Sequence, residues 1–177
     1  MKPKKTASKT PDAKTALEKF FADELNNIYW AEHRFEEILP KMNSAASSEK
    51  LIQTLGEYQQ FVKSHIQKLE QIFKLLNSEP KIGKIDAFEG IATEGEGEIR
   101  NTQGKASERD LGIILSSKKI VSYKITAYGT LVRLTKSLGL ANIGGLLATI
   151  LTEENDTDQE LADFTEKEIK TKRERKK

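Results

Sequence analysis

The chain has 177 residues, of which 37% are hydrophobic and 32% are charged, and its formal net charge is +2 at pH 7. This length fits one domain with a real hydrophobic core, and the absence of cysteine excludes disulfides, thiolate metal sites and cysteine nucleophiles. No apolar run approaches the roughly 18 residues that cross a bilayer, and the basic N-terminus lacks the apolar stretch of a secretory signal. We therefore expect a cytoplasmic protein with no membrane partner.

Helical periodicity dominates the chain, without strand alternation or an internal repeat. A helix-start signal at Thr10-Pro11-Asp12 ends a basic lead that we expect to be disordered, and Gly139 separates the last two helices. The connection at 79–106 has room for one short helix at about 86–100, although three glycines weaken it. The long predicted helices lie at about 13–44, 48–77, 107–137 and 140–168.

These lengths and connections predict an all-α, ferritin-like antiparallel four-helix bundle. The first and second helices are joined by a short turn, as are the third and fourth, whereas the connection at 79–106 can cross the full length of the bundle. The predicted organisation is a basic N-terminal tail at 1–12, the bundle at 13–169 and a basic C-terminal tail at 170–177.

Three ionisable residues occupy positions where the helical spacing calls for apolar side chains: Glu24, His65 and Glu154. At about 1.5 Å per residue, all three fall within roughly 5 Å of one another along the predicted bundle axis. Glu32 and Asp158 follow at helical spacing and could reach the same side. Carboxylates and imidazole are ligands that iron, manganese or zinc would accept, so the pattern indicates a polar site inside the bundle.

Two interpretations of this layer remain open. His65 could bond Glu24 or Glu154 in a structural polar cluster that fixes helix register, or the same residues could hold one metal ion. A complete two-metal oxidase centre is not expected, because such centres need four glutamates and two Glu-x-x-His motifs. The chain has two histidines, His33 and His65, and neither completes the motif.

Several stretches, in the correct order over about residues 15–165, resemble the YciE/YciF-type family of ferritin-like bacterial stress proteins. The resemblance includes Asp23-Glu24-Leu25, Leu39-Pro40-Lys41-Met42, His65 with Leu69 to Phe73, Ala87-Phe88-Glu89-Gly90, Glu153-Glu154 with Asp158 and, most specifically, Tyr123 to Leu131.

The resemblance implies a bundle whose better-preserved members hold two metals, and this chain departs from that pattern. It has Gln60-Phe61-Val62 where members carry Glu-Glu-Thr, Val121-Ser122-Tyr123-Lys124 where they carry Glu-His-Tyr-Glu, and Asn27 at an often acidic position. The second and third long helices have thus lost their carboxylates, and Lys124 brings a positive charge near the former site. Residues Glu24, Glu32, His65, Glu154 and Asp158 remain as ligands of a vestigial centre.

The sequence therefore predicts a non-enzymatic, stress-associated ferritin-like protein with a degenerate metal centre and no cofactor. The alternative is a protein that binds one Fe, Mn or Zn ion, and a third possibility is an interaction module that uses the basic tails. Nucleic acid is not an expected partner, because the tails lack interleaved aromatic residues. We expect a homodimer whose face could include Phe20 and Trp30, and the sequence identifies no small-molecule substrate.

Overall fold

The computed structural model describes residues 13–81 and 83–174, with side chains at 14–81 and 83–166. These ranges form five helices: α1 (Ala13–Ala45), α2 (Glu49–Leu75), α3 (Asp86–Asn101), α4 (Ala106–Leu138) and α5 (Ala141–Glu174). The first four agree with the predicted bounds to within two residues, whereas α5 continues beyond the predicted end at 168. Residues 1–12 and the side chains of 170–177 lie outside the described residues, so functions assigned to the two tails stay predictions.

The topology is the predicted ferritin-like one. Glu32 of α1 contacts α4 at Lys124, and Met42 contacts α4 at Ser117, so the two helices run antiparallel. Helices α4 and α5 are also antiparallel and meet at a turn where Gly139 adopts a left-handed conformation with φ 72°. The long helices pack in the pairs α1–α2, α1–α4, α2–α5 and α4–α5.

The crossing helix α3 lies on the outside of the groove between α1 and α4. Arg34 pairs with Glu89, and Lys41 pairs with Glu96, so α3 runs parallel to α1. Phe88 of α3 is fully buried, and its ring meets that of Trp30 edge-on at 6.0 Å. Trp30 is thereby engaged within the monomer.

A buried carboxylate fixes the turn between α1 and α2. Asp110 accepts hydrogen bonds from the backbone N–H groups of Ser47 and Ser48 and from the Ser47 hydroxyl, at 2.7–2.9 Å. Asp110 lies in the first turns of α4 but binds this neighbouring turn, and the start of α4 itself has no side-chain cap. Within the described residues, no helix combines the length and apolar character of a membrane span.

Candidate functional site

Four ionisable side chains meet in the centre of the bundle, one from each long helix. Glu32 comes from α1, His65 from α2, Lys124 from α4 and Glu154 from α5, and all four are 0% exposed. Each lies on its helix in the apolar stripe that faces the core, so packing of the surrounding stripe brings the four together. Charges this deep must be paired, because an isolated buried charge is too costly.

The ammonium of Lys124 lies between the two buried carboxylates. Its Nζ is 2.9 Å from Glu32 Oε2 and 2.6 Å from Glu154 Oε1, and it donates a hydrogen bond to the Tyr58 hydroxyl at 3.2 Å. The two carboxylate contacts are ion pairs rather than well-directed hydrogen bonds, since neither oxygen has a partner of good hydrogen-bond geometry. The Lys124 ammonium thus lies among the acidic groups, where it supplies one positive charge.

His65 connects this centre to a less buried acidic residue. Its Nδ1 is 3.3 Å from both Glu32 Oε1 and Glu154 Oε1, and its Nε2 is 2.8 Å from Glu153 Oε2. Lys68 Nζ lies 3.2 Å from the same oxygen of Glu153. Three carboxyl groups therefore face two ammonium groups and one imidazole ring, and each carboxyl group already has an ammonium group of the protein within ion-pair distance.

Two tyrosine hydroxyls complete the hydrogen bonding of the carboxylates. Tyr58 donates to Glu154 Oε2 at 2.7 Å, and Tyr128 donates to Glu32 Oε1 at 2.6 Å. Burial, followed by the nearby carboxylate charges, raises the pKa of both phenols well above the usual value. Both phenols therefore remain neutral hydrogen-bond donors to the buried carboxylates.

The two buried carboxyl groups differ in pKa. Burial acts to raise the pKa of Glu32, but the Lys124 charge, the close contact with His65 and the hydrogen bond from Tyr128 outweigh it and lower the pKa to about 2. For Glu154, burial and the charge of Glu32 outweigh the attraction of Lys124 and raise the pKa. Burial opposes the charge of Lys124 as well, yet the two carboxylates raise its pKa, so the side chain stays an ammonium.

Glu32, His65 and Glu154 could also hold a metal ion, since each offers a ligand atom and these atoms lie within 4.8 Å of one another. Two carboxylates and an imidazole suit iron, manganese or zinc. Glu32 Oε2, Glu154 Oε1 and His65 Nδ1 each lack a well-directed hydrogen bond, as ligand atoms would. The two carboxylate oxygens and the imidazole nitrogen are therefore suitable ligand atoms for a metal ion. However, Lys124 contacts the same carboxylates, so an ion could bind only after that ammonium moved away.

The other two residues that the sequence proposed as ligands lie elsewhere. Glu24 is half-buried on α1 and accepts a hydrogen bond from Asn27 Nδ2 at 3.3 Å. Asp158 on α5 pairs with Lys118 at 2.6 Å, near the surface. The layer shared with His65 and Glu154 thus contains Glu32 instead of the expected Glu24.

Sequence reasoning misplaced one residue of the centre, Lys124, and missed another, Glu153. From the sequence, Lys124 was expected only near the former site, whereas its Nζ lies in the centre, between the two buried carboxylates. Glu153 was not proposed as a site residue, yet it makes the shorter carboxylate contact of His65. A buried lysine within the α4 stripe, with Val121 and Tyr128 on either side, is the signal that would have located the centre.

A model of one protein family, described as "Domain of unknown function (DUF892)", matches residues 16–174. The chain belongs to the DUF892 family. Protein YciF of Escherichia coli strain K12 is 32% identical over 161 residues, which is 90% of this chain and 96% of that protein. The crystal structure of the E. coli stress protein YciF matches this chain with a TM-score of 0.83 at 31% identity, covering 87% of this chain and 97% of that one.

Two further solved structures share this fold. YcfI from Rhodopseudomonas palustris has a TM-score of 0.79 at 27% identity, covering 89% of this chain and 96% of that one. A protein from Xanthomonas campestris pv. campestris has a TM-score of 0.69 at 17% identity, covering 90% and 98%, and at this identity it shows the fold alone. The DUF892 match and these structures confirm the resemblance and the fold predicted from the sequence.

Proposed function

We propose that this DUF892 protein is a non-enzymatic, stress-associated ferritin-like protein in which the Lys124 ammonium takes the place of a metal ion. The observation that supports this best is the position of Nζ, 2.9 and 2.6 Å from the two buried carboxylates. Stress association is carried over from the similarity to the E. coli stress protein YciF.

The contacts of the Lys124 ammonium with both buried carboxylates support the metal-independent interpretation. A divalent ion attracts the carboxylates more strongly than an ammonium does, but its binding here would first require a buried, charged lysine to leave its partners. Breaking such a buried pair costs on the order of 3–5 kcal/mol. A metal would also compete with the protons on the ligands, because His must be neutral to coordinate.

A second candidate function is binding of a single Fe, Mn or Zn ion by Glu32, His65 and Glu154. The three buried ligand atoms without well-directed hydrogen bonds favour it. In this case Lys124 would swing aside when the ion binds, and the site would be a mononuclear one with open coordination positions.

Metal titration distinguishes the two. We expect the purified protein to contain no stoichiometric metal and to show no change in melting temperature when Fe(II), Mn(II) or Zn(II) is added, with Fe(II) handled without oxygen. We expect Lys124→Glu to gain metal binding, because it removes the competing cation and adds a carboxylate ligand.

The histidines provide a matched control. One ion per chain in the unmodified protein, lost in His65→Ala but retained in His33→Ala, would favour the second candidate and contradict the first. Stress association is tested separately by quantifying the protein in the cells that make it, before and during osmotic or oxidative stress. An unchanged amount would remove that part of the proposal.

A further inference from the structure

An elongated apolar groove lies beside α4, where α3 leaves the α1–α4 surface uncovered. Its cavity volume is about 710 Å³, which falls in the range of small-molecule sites. Phe20 and Leu115, which are 53% and 54% exposed, border it, together with Ile91, Tyr123 and Ala127. From Leu115 to Thr130 the α4 wall is about 22 Å long, at 1.5 Å per residue.

Among the described residues, the charge in this groove that lacks an ion-pair partner is negative. Lys118 and Lys119 line it, but each already pairs with a carboxylate, Asp158 and Glu94 respectively. Glu24 also lines it, and among the side chains that the structure describes its carboxylate has a hydrogen bond from Asn27 but no cation within ion-pair distance. A ligand that complements the groove therefore brings a positive charge to Glu24.

The aromatic rings around Glu24 suit an organic cation. Phe20 precedes Glu24 by one helical turn on the same face of α1, and Tyr123 borders the cavity from α4. Burial, and then the charge of Glu24, raises the pKa of Tyr123, so this carboxylate acts electrostatically on the opposite wall. A carboxylate with aromatic faces nearby is the chemistry that binds alkylammonium groups.

We propose that the groove between α1 and α4 binds a small amphiphilic organic cation, with its ammonium group at Glu24 and a linear apolar body along α4. This inference is independent of the function proposed for the buried centre, because none of the groove residues belongs to that cluster. It also gives a role to Glu24, which the sequence marked as functional and the centre does not use.

Octyltrimethylammonium, below its micelle concentration, is the probe for isothermal titration calorimetry with the full chain. We expect one-to-one binding that is weakened about fivefold in Glu24→Gln, as expected for the loss of an ion pair worth about 1 kcal/mol. Asp23→Asn is the matched control, because Asp23 is exposed and pairs with Lys19 outside the groove. We expect it to bind as the unmodified protein does.

Two comparison ligands test the sign of the charge. Octanol and octanoate have the same apolar chain, and we expect both to bind at least fivefold more weakly than the cation. No binding of octyltrimethylammonium, equal or tighter binding of octanoate, or an unchanged affinity in Glu24→Gln would each overturn the proposal. Circular dichroism of both variants confirms that a loss of binding does not come from unfolding.

Discussion

Replacement of Lys124 by methionine tests the energetic role of the buried ammonium. The variant keeps most of the volume of the side chain but leaves Glu32 and Glu154 facing each other without their shared cation. Loss of one partner from a buried ionic cluster costs about 3–5 kcal/mol. The direction of the Glu32 pKa agrees with this, since the Lys124 charge is the largest cause that lowers it below 4.5.

For a chain of this length, 1 kcal/mol shifts the melting temperature by about 2–4 °C. We therefore expect Lys124→Met to lower it by roughly 6–20 °C, measured by calorimetry with urea denaturation as a second readout. The control is Lys63→Met on α2, because Lys63 is exposed, and we expect a shift of no more than about 2 °C.

A double variant separates charge from packing. Glu32→Gln added to Lys124→Met removes one of the two like charges, so we expect it to recover part of the lost stability, as a coupled pair does in a double-mutant cycle. If Lys124→Met melted within about 2 °C of the unmodified protein, or if the double variant were no better, the ammonium would not be a structural cation and the reasoning would fail.

Three further predictions concern pH, the α1–α2 turn and the packing of α3. The folded pKa of Glu32 lies below its unfolded value of 4.5, so its contribution to the free energy of unfolding is present above pH 4.5 and is lost as the pH falls toward about 2. Urea unfolding at several pH values should therefore show that Glu32→Gln loses less stability in acid than the unmodified protein does. Equal acid loss in both proteins would contradict this assignment. Asp110→Ala leaves three hydrogen-bond donors of the α1–α2 turn without their acceptor, so it should lower the free energy of unfolding in urea by about 2–4 kcal/mol. A change below about 1 kcal/mol would count against a role of Asp110 in fixing the turn. A Cβ at Gly95 would lie 2.8 Å from Met42 Cε and 3.1 Å from Ser116 Cβ, and both side chains are buried, so neither has free space to move into. Gly95→Ala should therefore destabilise by about 1–3 kcal/mol. Gly90→Ala in the same helix meets no atom within 4 Å and should stabilise by about 0.5–1 kcal/mol, and calorimetry that ranked the two variants in the opposite order would refute this packing argument.

The fold could be predicted from the sequence because each long helix carries a continuous apolar stripe and the connection lengths select one topology. The details of α1 show the limit of this approach. Two stripes of the same spacing run along α1, one through Glu24 and one through Leu25 and Glu32, and periodicity alone does not separate them. The two stripes differ where they pass through neighbouring residues: Leu25 is 0% exposed, whereas Glu24 is half-buried, so the core side of α1 at this level is that of Leu25 and Glu32.

The centre could be predicted in kind but not in composition. His65 and Glu154 were found because each is an ionisable residue in an apolar stripe, and this property does not depend on other helices. The pairing of Lys124 with Glu32 and Glu154 depends on the rotation and axial shift of α4 against α1 and α5, where one residue changes the side-chain direction by 100°. Only the packed structure fixes that rotation.

The claim that the Lys124 ammonium takes the place of a metal ion is tested most directly by crystallography. Crystals are grown with Mn(II) or Zn(II), and anomalous data are collected at the absorption edge of the metal. We expect no anomalous peak in the centre of the bundle, and density for Lys124 Nζ between Glu32 and Glu154. A peak at about 2.0–2.3 Å from Glu32, His65 and Glu154, with Lys124 turned away, would contradict the account and establish a metal site.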